Sequence, residues 1–195
     1  MGRRRAPARA WLRQPPEEVA PELLNLLLVR GDRVGRIVEV EAYGGERDPA
    51  SHAFRGPTPR AAIMFGEVGR LYVYRSYGVH WCANVVAHGD EGAGAVLIRA
   101  VEPVAGLAAM WPARPAARRE VDLASGPGKL CAALGISADD LGADLLGPAS
   151  TVRLLDDGMA PPNEPTVGPR VGISVATEVP WRFSVPGSPH RSRPW

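Results

Sequence analysis

Lysine is nearly absent from this 195-residue chain, which has 22 arginines and a single lysine, Lys129. The planar guanidinium of arginine binds phosphate oxygens in pairs, so an arginine-rich surface suits nucleic acid. A GC-rich coding sequence would also enrich arginine, alanine, glycine and proline. With a formal net charge of only +2, the charge balance gives weak support for a nucleic-acid partner.

Cysteine is also scarce. Cys82 and Cys131 lie far apart in apolar segments and form no CxxC motif, so no disulfide framework is expected and a reducing cytoplasm is the default location. The only close pairs of metal-binding types are His80-x-Cys82 and His88-x-Asp90, and neither completes a ligand set. We therefore expect no metal and no cofactor. A zinc deaminase would need Pro-Cys-x-x-Cys, which the sequence lacks.

Long hydrophobic runs are missing. The longest, Leu26–Val29, is far below the roughly 18 residues of a membrane helix, so no membrane role is expected. The chain begins with charge but no apolar core, unlike a secretory signal. Its length and its hydrophobic content of 45% suit one domain. We predict a basic, mobile arm over residues 1–14, a domain over 15–190 and a tail over 191–195, with a monomer as the default.

The order of predicted elements favours an α+β fold. Helical signals occur at residues 15–24 and, in two pieces with a Pro/Arg-rich break, at 104–135. Strands are predicted at 25–30, 33–43, 71–74, 79–86, 95–101 (ended by Pro103), 151–155, 170–175 and 182–185. Because the strands pair locally and the helices are segregated, we predict a single compact domain. It should hold a mainly antiparallel β-sheet, flanking helices and a β-hairpin that protrudes at the turn Arg75–Gly78.

The strand over residues 36–43 is the most informative stretch. Alternation would place on one face Ile37, Glu39, Glu41 and Tyr43, and on the other Val38, Val40 and Ala42. If the valines are buried, two carboxylates and a tyrosine line a cleft. Such a cleft, opposite an aromatic hairpin tip, could hold a flat ring beside an activated water.

The same residues carry a resemblance that covers residues 15–190 in order. The motifs are Arg36-Ile-Val-Glu-Val-Glu-Ala-Tyr43, His52, Thr58-Pro-Arg60, Met64-Phe65, Gly69-Arg-Leu-Tyr-Val-Tyr-Arg-Ser-Tyr-Gly78, Asn84, Leu97-Ile-Arg-Ala-Val-Glu-Pro103, Ser125-Gly-Pro-Gly-Lys-Leu-Cys131, Arg170-Val-Gly-Ile173 and Arg182-Phe-Ser-Val-Pro-Gly-Ser-Pro189. Together they resemble the alkyladenine (3-methyladenine) DNA glycosylase family. The resemblance implies a monofunctional hydrolase of base excision repair that flips a damaged purine from double-stranded DNA and hydrolyses its N-glycosidic bond.

The resemblance assigns the catalytic roles to three residues. Glu41 matches the general base that activates water, while Arg99 and the main-chain carbonyl of Val171 match groups that hold this water. A carboxylate suits the task because hydrolysis passes through an oxocarbenium-like sugar. Glu39 shares the same predicted face, so the residues alone leave open which carboxylate works.

The base pocket and the DNA contacts are implied in the same way. Tyr43, His52 and Tyr74 match aromatic walls, Asn84 matches a residue that excludes guanine, and Leu97 matches an apolar wall. Stacking on such walls is worth about 1–3 kcal/mol per base and tolerates varied bases. Without the resemblance, His52 would be an ordinary loop histidine and Leu97 a core residue.

Four residues are expected to contact the duplex. Tyr77 at the hairpin tip matches an intercalating wedge, and Thr58, Arg60 and Lys129 are expected at the DNA backbone. Lys129 lies where a glycine-rich segment starts a helix, which suits a phosphate, although an ordinary exposed lysine fits as well. Because this single lysine lies in a helix-start motif, hydrolysis is a simpler interpretation than Schiff-base chemistry.

Two other functions fit part of the sequence. A catalytically silent binder of damaged DNA would not need Glu41 and Arg99. A small-molecule nucleoside or glycoside hydrolase could use Glu39 and Glu41 as acid and base, but it leaves Tyr77 unexplained. The sequence does not rank 3-methyladenine, 7-methylguanine, hypoxanthine and etheno-adenine as substrates.

Overall fold

The structure is a computed structural model that describes residues 5–89 and 92–192. Within these ranges there are three α-helices: α1 (Pro16–Glu22), α2 (Leu107–Ala113) and α3 (Pro127–Leu134). The strands are β1 (Leu27–Arg30), β2 (Arg33–Tyr43), β3 (Leu71–Ser76), β4 (His80–Val86), β5 (Ala95–Ala105), β6 (Val152–Leu155), β7 (Thr166–Gly168) and β8 (Arg182–Ser184). None of the helices in these ranges combines the length and the apolar character needed to cross a membrane.

The strands form one antiparallel sheet in the order β3-β4-β5-β2-β1-β6. Strand β2 is its centre, since β5 pairs along one edge, while β1 and then β8 pair along the other. Strand β7 joins through β8. This architecture confirms the predicted single-domain α+β fold with an antiparallel sheet and flanking helices. Glu39 and Glu41, which both belong to β2, therefore lie at the middle of the sheet.

Residues at the helix ends and buried side chains together explain the positions of α1 and α3. Helix α1 begins at Pro16 with two acidic residues in its first turn, as the sequence predicts. Helix α3 ends at Gly135, whose positive φ of +79° provides a left-handed cap. Buried side chains from both helices, including Val19 and Leu130, join strand residues in the main core cluster. The sheet face that bears the carboxylates is thus backed by a packed core.

A pair of β-bulges changes the predicted alternation in β2. Ile37 pairs with Val101 and Glu39 with Ala100, so Val38 is an extra residue in β2. Val40 then pairs with Ile98, which leaves Arg99 as the extra residue in β5. As a result, Ile37 joins the main core cluster with Val40 and Ala42. The prediction that Ile37 shares a face with Glu39 is wrong, because a bulge reverses which way the following side chains point.

The end of β5 and the predicted strand at residues 170–175 also differ from the sequence-based prediction. Pro103 does not end β5, which continues to Ala105 because a register shift opposite Val34 and Gly35 accommodates the proline. Residues 170–175 form a loop instead of a strand, and the nearby strand is β7. In this loop Gly172 has a φ of +80°, and the Val171 amide bonds to a side chain instead of a strand.

Parts of the predicted arm and of the predicted tail make contacts with the rest of the fold. Residues Arg9–Leu12 form a 3-10 helix whose Leu12 is fully buried, and Arg9 donates to the Val68 carbonyl at 2.6 Å. An apolar side chain and a hydrogen bond thus anchor residues 9–12, within the predicted arm, to the domain. Ser192 in the predicted tail contacts buried Glu39. The remainder of the predicted arm (1–4) and tail (193–195) lies outside the described residues, as does Asp90 of the His88-x-Asp90 pair.

Candidate active site

A cleft of about 910 Å³ opens where β2, β3, β4 and β5 meet the loops around residues 49–52 and 171–175. Most of the residues singled out in the sequence lie together here. Those that line the cleft are Tyr43, His52, Arg60, Tyr74, Tyr77, Asn84, Leu97, Arg99 and Val171. Thr58 and Lys129 are exposed outside this lining. Glu41 is buried directly behind it and contacts three of the lining residues.

Glu41 is a fully buried carboxylate with its partners on three sides. Its Oε1 accepts a hydrogen bond from the Val171 amide at 2.7 Å and lies 3.2 Å from Nη1 of Arg99. Its Oε2 accepts from the Tyr43 hydroxyl at 2.9 Å. Burial raises the pKa of Glu41, and the positive charge of Arg99 opposes that shift. The arrangement provides a fixed carboxylate directly behind the lining of an aromatic cleft.

Glu39 is equally buried, but its surroundings are different. Its Oε1 accepts from Nε of Arg99 at 3.0 Å, from Nε of Arg182 at 2.7 Å and from the Ser192 hydroxyl at 2.9 Å. Its Oε2 accepts from the Ser192 amide at 2.5 Å. Both oxygens of Glu39 are thus engaged by protein donors. This carboxylate is a buried structural anion that joins β2, β5, β8 and the C-terminal segment.

Aromatic rings form the wall opposite these carboxylates. His52 Nδ1 lies 2.9 Å from the Tyr72 hydroxyl, and the His52 and Tyr74 rings meet edge to face with centroids 4.6 Å apart. The rings of Tyr72 and Tyr74 are 5.4 Å apart. Desolvation and the charge of Arg60 lower the pKa of His52, so the imidazole is neutral at pH 7. Sequence reasoning missed Tyr72, although its spacing of two from Tyr74 on a strand was the available signal.

Asn84 and Leu97 lie on the cleft floor as cross-strand neighbours in β4 and β5. The Asn84 side-chain amide donates to the Tyr72 carbonyl at 3.0 Å. That bond fixes the orientation of the amide, because the nitrogen is committed to the neighbouring strand. The floor therefore presents one oriented polar group beside an apolar one.

The hairpin between β3 and β4 presents Tyr77 to solvent. The Val79 amide donates to the Ser76 carbonyl at 3.0 Å, and the two central residues, Tyr77 and Gly78, have φ of +49° and +68°. Positive φ at both positions is typical of a type I′ turn, one residue later than the predicted turn. Tyr77 is 87% exposed. A tyrosine in this left-handed conformation carries backbone strain that glycine would not.

The three residues expected at the DNA backbone occupy different settings. Thr58 is exposed and its hydroxyl accepts from the Ala61 amide at 3.2 Å, so it shapes a local turn. The Arg60 guanidinium lies 4.9 Å from the centre of the Tyr74 ring at the cleft wall. Lys129 is exposed in the first turn of α3, with Nζ 3.4 Å from the Ser125 hydroxyl. All three side chains remain accessible to a ligand outside the fold.

Asp48 and Arg170 form a buried ion pair that sequence reasoning did not identify. Arg170 donates from Nη1 at 2.5 Å and from Nη2 at 2.9 Å to the two carboxylate oxygens of Asp48. Its Nη1 also donates to the Ala42 carbonyl at 3.0 Å, and its guanidinium lies 4.9 Å from the Tyr43 ring centre. The pair therefore ties the loop after β2 to the loop that presents the Val171 amide to Glu41.

Among residues 5–89 and 92–192, no three histidine, cysteine, aspartate or glutamate side chains come together as a group that could hold a metal ion. Cys82 lines the cleft and Cys131 lies in the core, and both are free thiols. The chemistry available at the cleft is that of two carboxylates, arginines, tyrosines and one neutral histidine.

Comparison with known proteins places the chain among the DNA glycosylases, which are hydrolases of DNA repair. More narrowly, residues 10–189 match the family model described as methylpurine-DNA glycosylase, and the chain belongs to that family. The resemblance seen in the sequence motifs is thereby confirmed.

The match with each of three relatives covers most of this chain and most of the relative. A protein of Burkholderia cenocepacia is 53% identical over 182 residues, which cover 92% of this chain and 87% of the relative. One of Frankia casuarinae is 49% identical over 193 residues, 93% of this chain and 89% of the relative. One of Nocardia farcinica is 49% identical over 179 residues, with 89% and 84% covered. Each is assigned by its name as a 3-methyladenine DNA glycosylase.

The buried Asp48–Arg170 pair yields a prediction about stability. Arg170→Ala should lower the free energy of unfolding by about 3–5 kcal/mol, because it leaves Asp48 charged and unpaired in the interior. Denaturant titration followed by circular dichroism measures the change. Arg119→Ala is the matched control, since the Arg119–Asp122 pair is exposed to solvent and should contribute little. A loss below about 1 kcal/mol for Arg170→Ala would show that the pair does not anchor the loop.

Proposed function

We propose that this protein is a monofunctional DNA glycosylase that removes alkylated or deaminated purines from double-stranded DNA. The lesions are of the 3-methyladenine, 7-methylguanine, hypoxanthine and etheno-adenine class. The observation that carries the proposal is the position of Glu41. A fully buried carboxylate, held by Arg99, Tyr43 and the Val171 amide, lies directly behind the residues that line an aromatic cleft next to an exposed tyrosine hairpin.

In the proposed reaction, Glu41 is the general base. The oxygen of a bound water forms a bond to C1′ as the C1′–N bond breaks, the purine leaves with the bonding electrons, and Glu41 takes the proton of the water. The carboxylate also stabilises the positive charge that develops on the sugar. Arg99 and the Val171 main-chain carbonyl are proposed to hold the water. Glu39 is proposed as a structural partner instead, because two arginines and Ser192 bind its carboxylate, whereas Glu41 meets a single arginine and has a pKa raised by burial.

The cleft is proposed to receive the damaged base after it is flipped from the duplex. A base in a stacked duplex is out of reach of a buried carboxylate, so extrusion must precede hydrolysis. The flat surfaces for stacking are those of Tyr43, His52, Tyr72 and Tyr74, and the neutral imidazole adds no positive charge that would repel a cationic alkylated base. Asn84 is proposed to exclude normal guanine at the floor, and Leu97 is proposed as an apolar wall beside it.

The duplex is proposed to lie across the mouth of the cleft, with Tyr77 filling the gap left by the base. The proposed contacts with the DNA backbone are Thr58, Arg60 and Lys129, since all three side chains are exposed to solvent. A monomer and a catalytic unit over residues 15–190 remain predictions, and for a bacterial source we propose association with the nucleoid. The absence of lyase chemistry is part of the proposal, because Lys129, the single lysine, is not among the residues that line the cleft.

The proposal predicts a large effect of Glu41→Gln on base excision. Single-turnover excision from a duplex with one hypoxanthine or etheno-adenine should fall at least about 100-fold, the usual size of a general-base effect. Glu102→Gln is the control, since Glu102 is an exposed carboxylate of β5. Failure of the wild type to excise any damaged purine while still binding the duplex would instead establish a silent binder.

The raised pKa of Glu41 predicts the direction of the pH profile. The base must be ionised, so the single-turnover rate should be full at high pH and fall as the pH drops through the raised pKa of Glu41, above the ordinary glutamate value of about 4.3. Arg99→Gln should move this limb to higher pH, since the arginine charge favours the ionised carboxylate. Rates measured from pH 4 to 9 would test both; a limb unmoved by Arg99→Gln would contradict the proposed role of Arg99.

Tyr77 predicts a separation of stability from activity. Tyr77→Gly should keep or slightly raise the free energy of unfolding, because glycine accepts the positive φ without strain. Excision from a duplex should nevertheless fall about 10- to 100-fold, because no side chain then fills the gap and offsets the few kcal/mol that unstacking costs. Val79→Ala, at another exposed residue of the same tip, is the control. Undiminished excision by Tyr77→Gly would remove the wedge from the proposal.

A further inference from the structure

We propose that Ser192, in the C-terminal segment, is a positioning residue that holds the Arg99 guanidinium in place against Glu41. This inference rests on the proposed function, because it concerns the group that supports the proposed base. Ser192 lines the same cleft, yet its role is exerted through Arg99.

The contacts of Ser192 lie on both members of an ion pair. Its hydroxyl oxygen accepts from Nε of Arg99 at 3.3 Å and from Nη2 at 3.1 Å, and the same hydroxyl donates to Oε1 of Glu39 at 2.9 Å. Its amide donates to Oε2 of Glu39 at 2.5 Å. One hydroxyl thus uses its donor and its acceptor capacity between Arg99 and Glu39. The serine closes a ring of hydrogen bonds instead of making a single contact.

The planar guanidinium turns this ring into a constraint on Glu41. Nε and Nη2 of Arg99 are held by Glu39 and Ser192, while Nη1 is the nitrogen that lies 3.2 Å from Oε1 of Glu41. Because the guanidinium is rigid and flat, fixing two nitrogens fixes the direction of the third. A shift at Ser192 would therefore turn Nη1 away from the carboxylate.

Arg99 needs such support because of its place in the sheet. It is the residue of β5 without a partner in β2, at the bulge opposite Glu39 and Val40. A bulge disrupts the ladder locally and re-aims the side chain that it carries. The C-terminal segment provides Arg99 with an attachment in addition to those to Glu39 and Glu41 of β2, at a point where the ladder is interrupted.

The other groups that face Glu41 remain in place when the serine hydroxyl is removed. They are the Tyr43 hydroxyl, the Val171 amide and the Glu39 carboxylate, which opposes ionisation, in addition to Arg99 itself. Arg182 stays bonded to Glu39 from β8. Loss of the hydroxyl thus changes the orientation of Arg99 while the charges around Glu41 stay the same.

The test uses Ser192→Ala, which removes the hydroxyl and keeps the amide bond to Glu39, in the full-length protein. Single-turnover excision at neutral pH should fall about tenfold, as expected for a misplaced group next to the reacting atoms. The acid limb of the pH profile should move up by about half a pH unit or more, the size of one ordinary hydrogen bond expressed as a pKa change. Ser192→Thr, which keeps a hydroxyl, should restore most of both.

A second measurement is independent of catalysis. The side-chain carboxyl carbon of Glu41, assigned by its loss in Glu41→Gln, is titrated by carbon-13 NMR in the wild type and in Ser192→Ala. We expect its pKa to rise in Ser192→Ala and to stay unchanged in Ser188→Ala, a control in the same segment whose hydroxyl bonds to the His190 amide. Thermal unfolding confirms that each variant is folded.

The outcomes separate this inference from the proposed function. If Glu41 titrates at the same pH in Ser192→Ala and the wild type, the positioning role is wrong, even if the rate falls. If the Glu41 pKa rises in Ser192→Ala but the wild type excises no damaged purine, the positioning role holds and the proposed function fails. If Ser192→Thr behaves like Ser192→Ala in the titration, the hydroxyl is not the responsible group and the inference is overturned.

Discussion

The buried array of Glu39, Arg99 and Glu41 is the interaction on which the rest of the site depends. Arg99 bridges both carboxylates, with Nε at 3.0 Å from Glu39 and Nη1 at 3.2 Å from Glu41. Charges removed from water are costly unless every one of them is paired and hydrogen-bonded. The fold meets this demand by bringing donors from β2, β8, the 171–175 loop and the C-terminal segment to one point. Glycosylase chemistry, as proposed, uses one member of this array and needs the others to keep it in place.

Two glutamates of one strand, both fully buried, are distinguished by their partners alone. Glu39 meets Arg99 and Arg182, with two further donors from Ser192, so its charge is compensated inside the protein. Glu41 has one arginine and two neutral donors, and burial raises its pKa. A base must be able to gain a proton, and a carboxylate with a raised pKa does so more readily. The different environments therefore support different roles for chemically identical side chains.

The sequence predicted the fold class and most of the strands because their signals are local. The alternating stretch at 33–43 and the glycine at the hairpin tip specify β2 and the turn before β4 without reference to the rest of the chain. The bulges at Val38 and Arg99 were missed, since they arise from the mutual register of β2 and β5. Periodicity in a single strand contains no information about that register.

The candidate site was predicted mainly from the family resemblance. Residues to which the resemblance assigned no role were not identified. Asp48 and Ser192 had no local signal that set them apart, because each is bonded to a partner at least 122 residues away in the sequence. Tyr72 had only its spacing from Tyr74. Such pairings depend on how loops fold back on the sheet. The position of Ser192, in the predicted tail, depends in the same way on buried Glu39 and Arg99 in β2 and β5.

Strain and order are distributed unevenly over this molecule, and the distribution agrees with the proposed function. The carboxylate array is rigid by construction, because each of its charges is fixed by several bonds. The hairpin tip, by contrast, keeps a tyrosine at positive φ and 87% exposed, where glycine would be less strained and a polar residue better solvated. A feature that is unfavourable for the isolated fold persists where a ligand supplies the missing contacts. The base gap of a duplex, the partner proposed for Tyr77, would accept a flat, exposed ring at the mouth of an aromatic cleft.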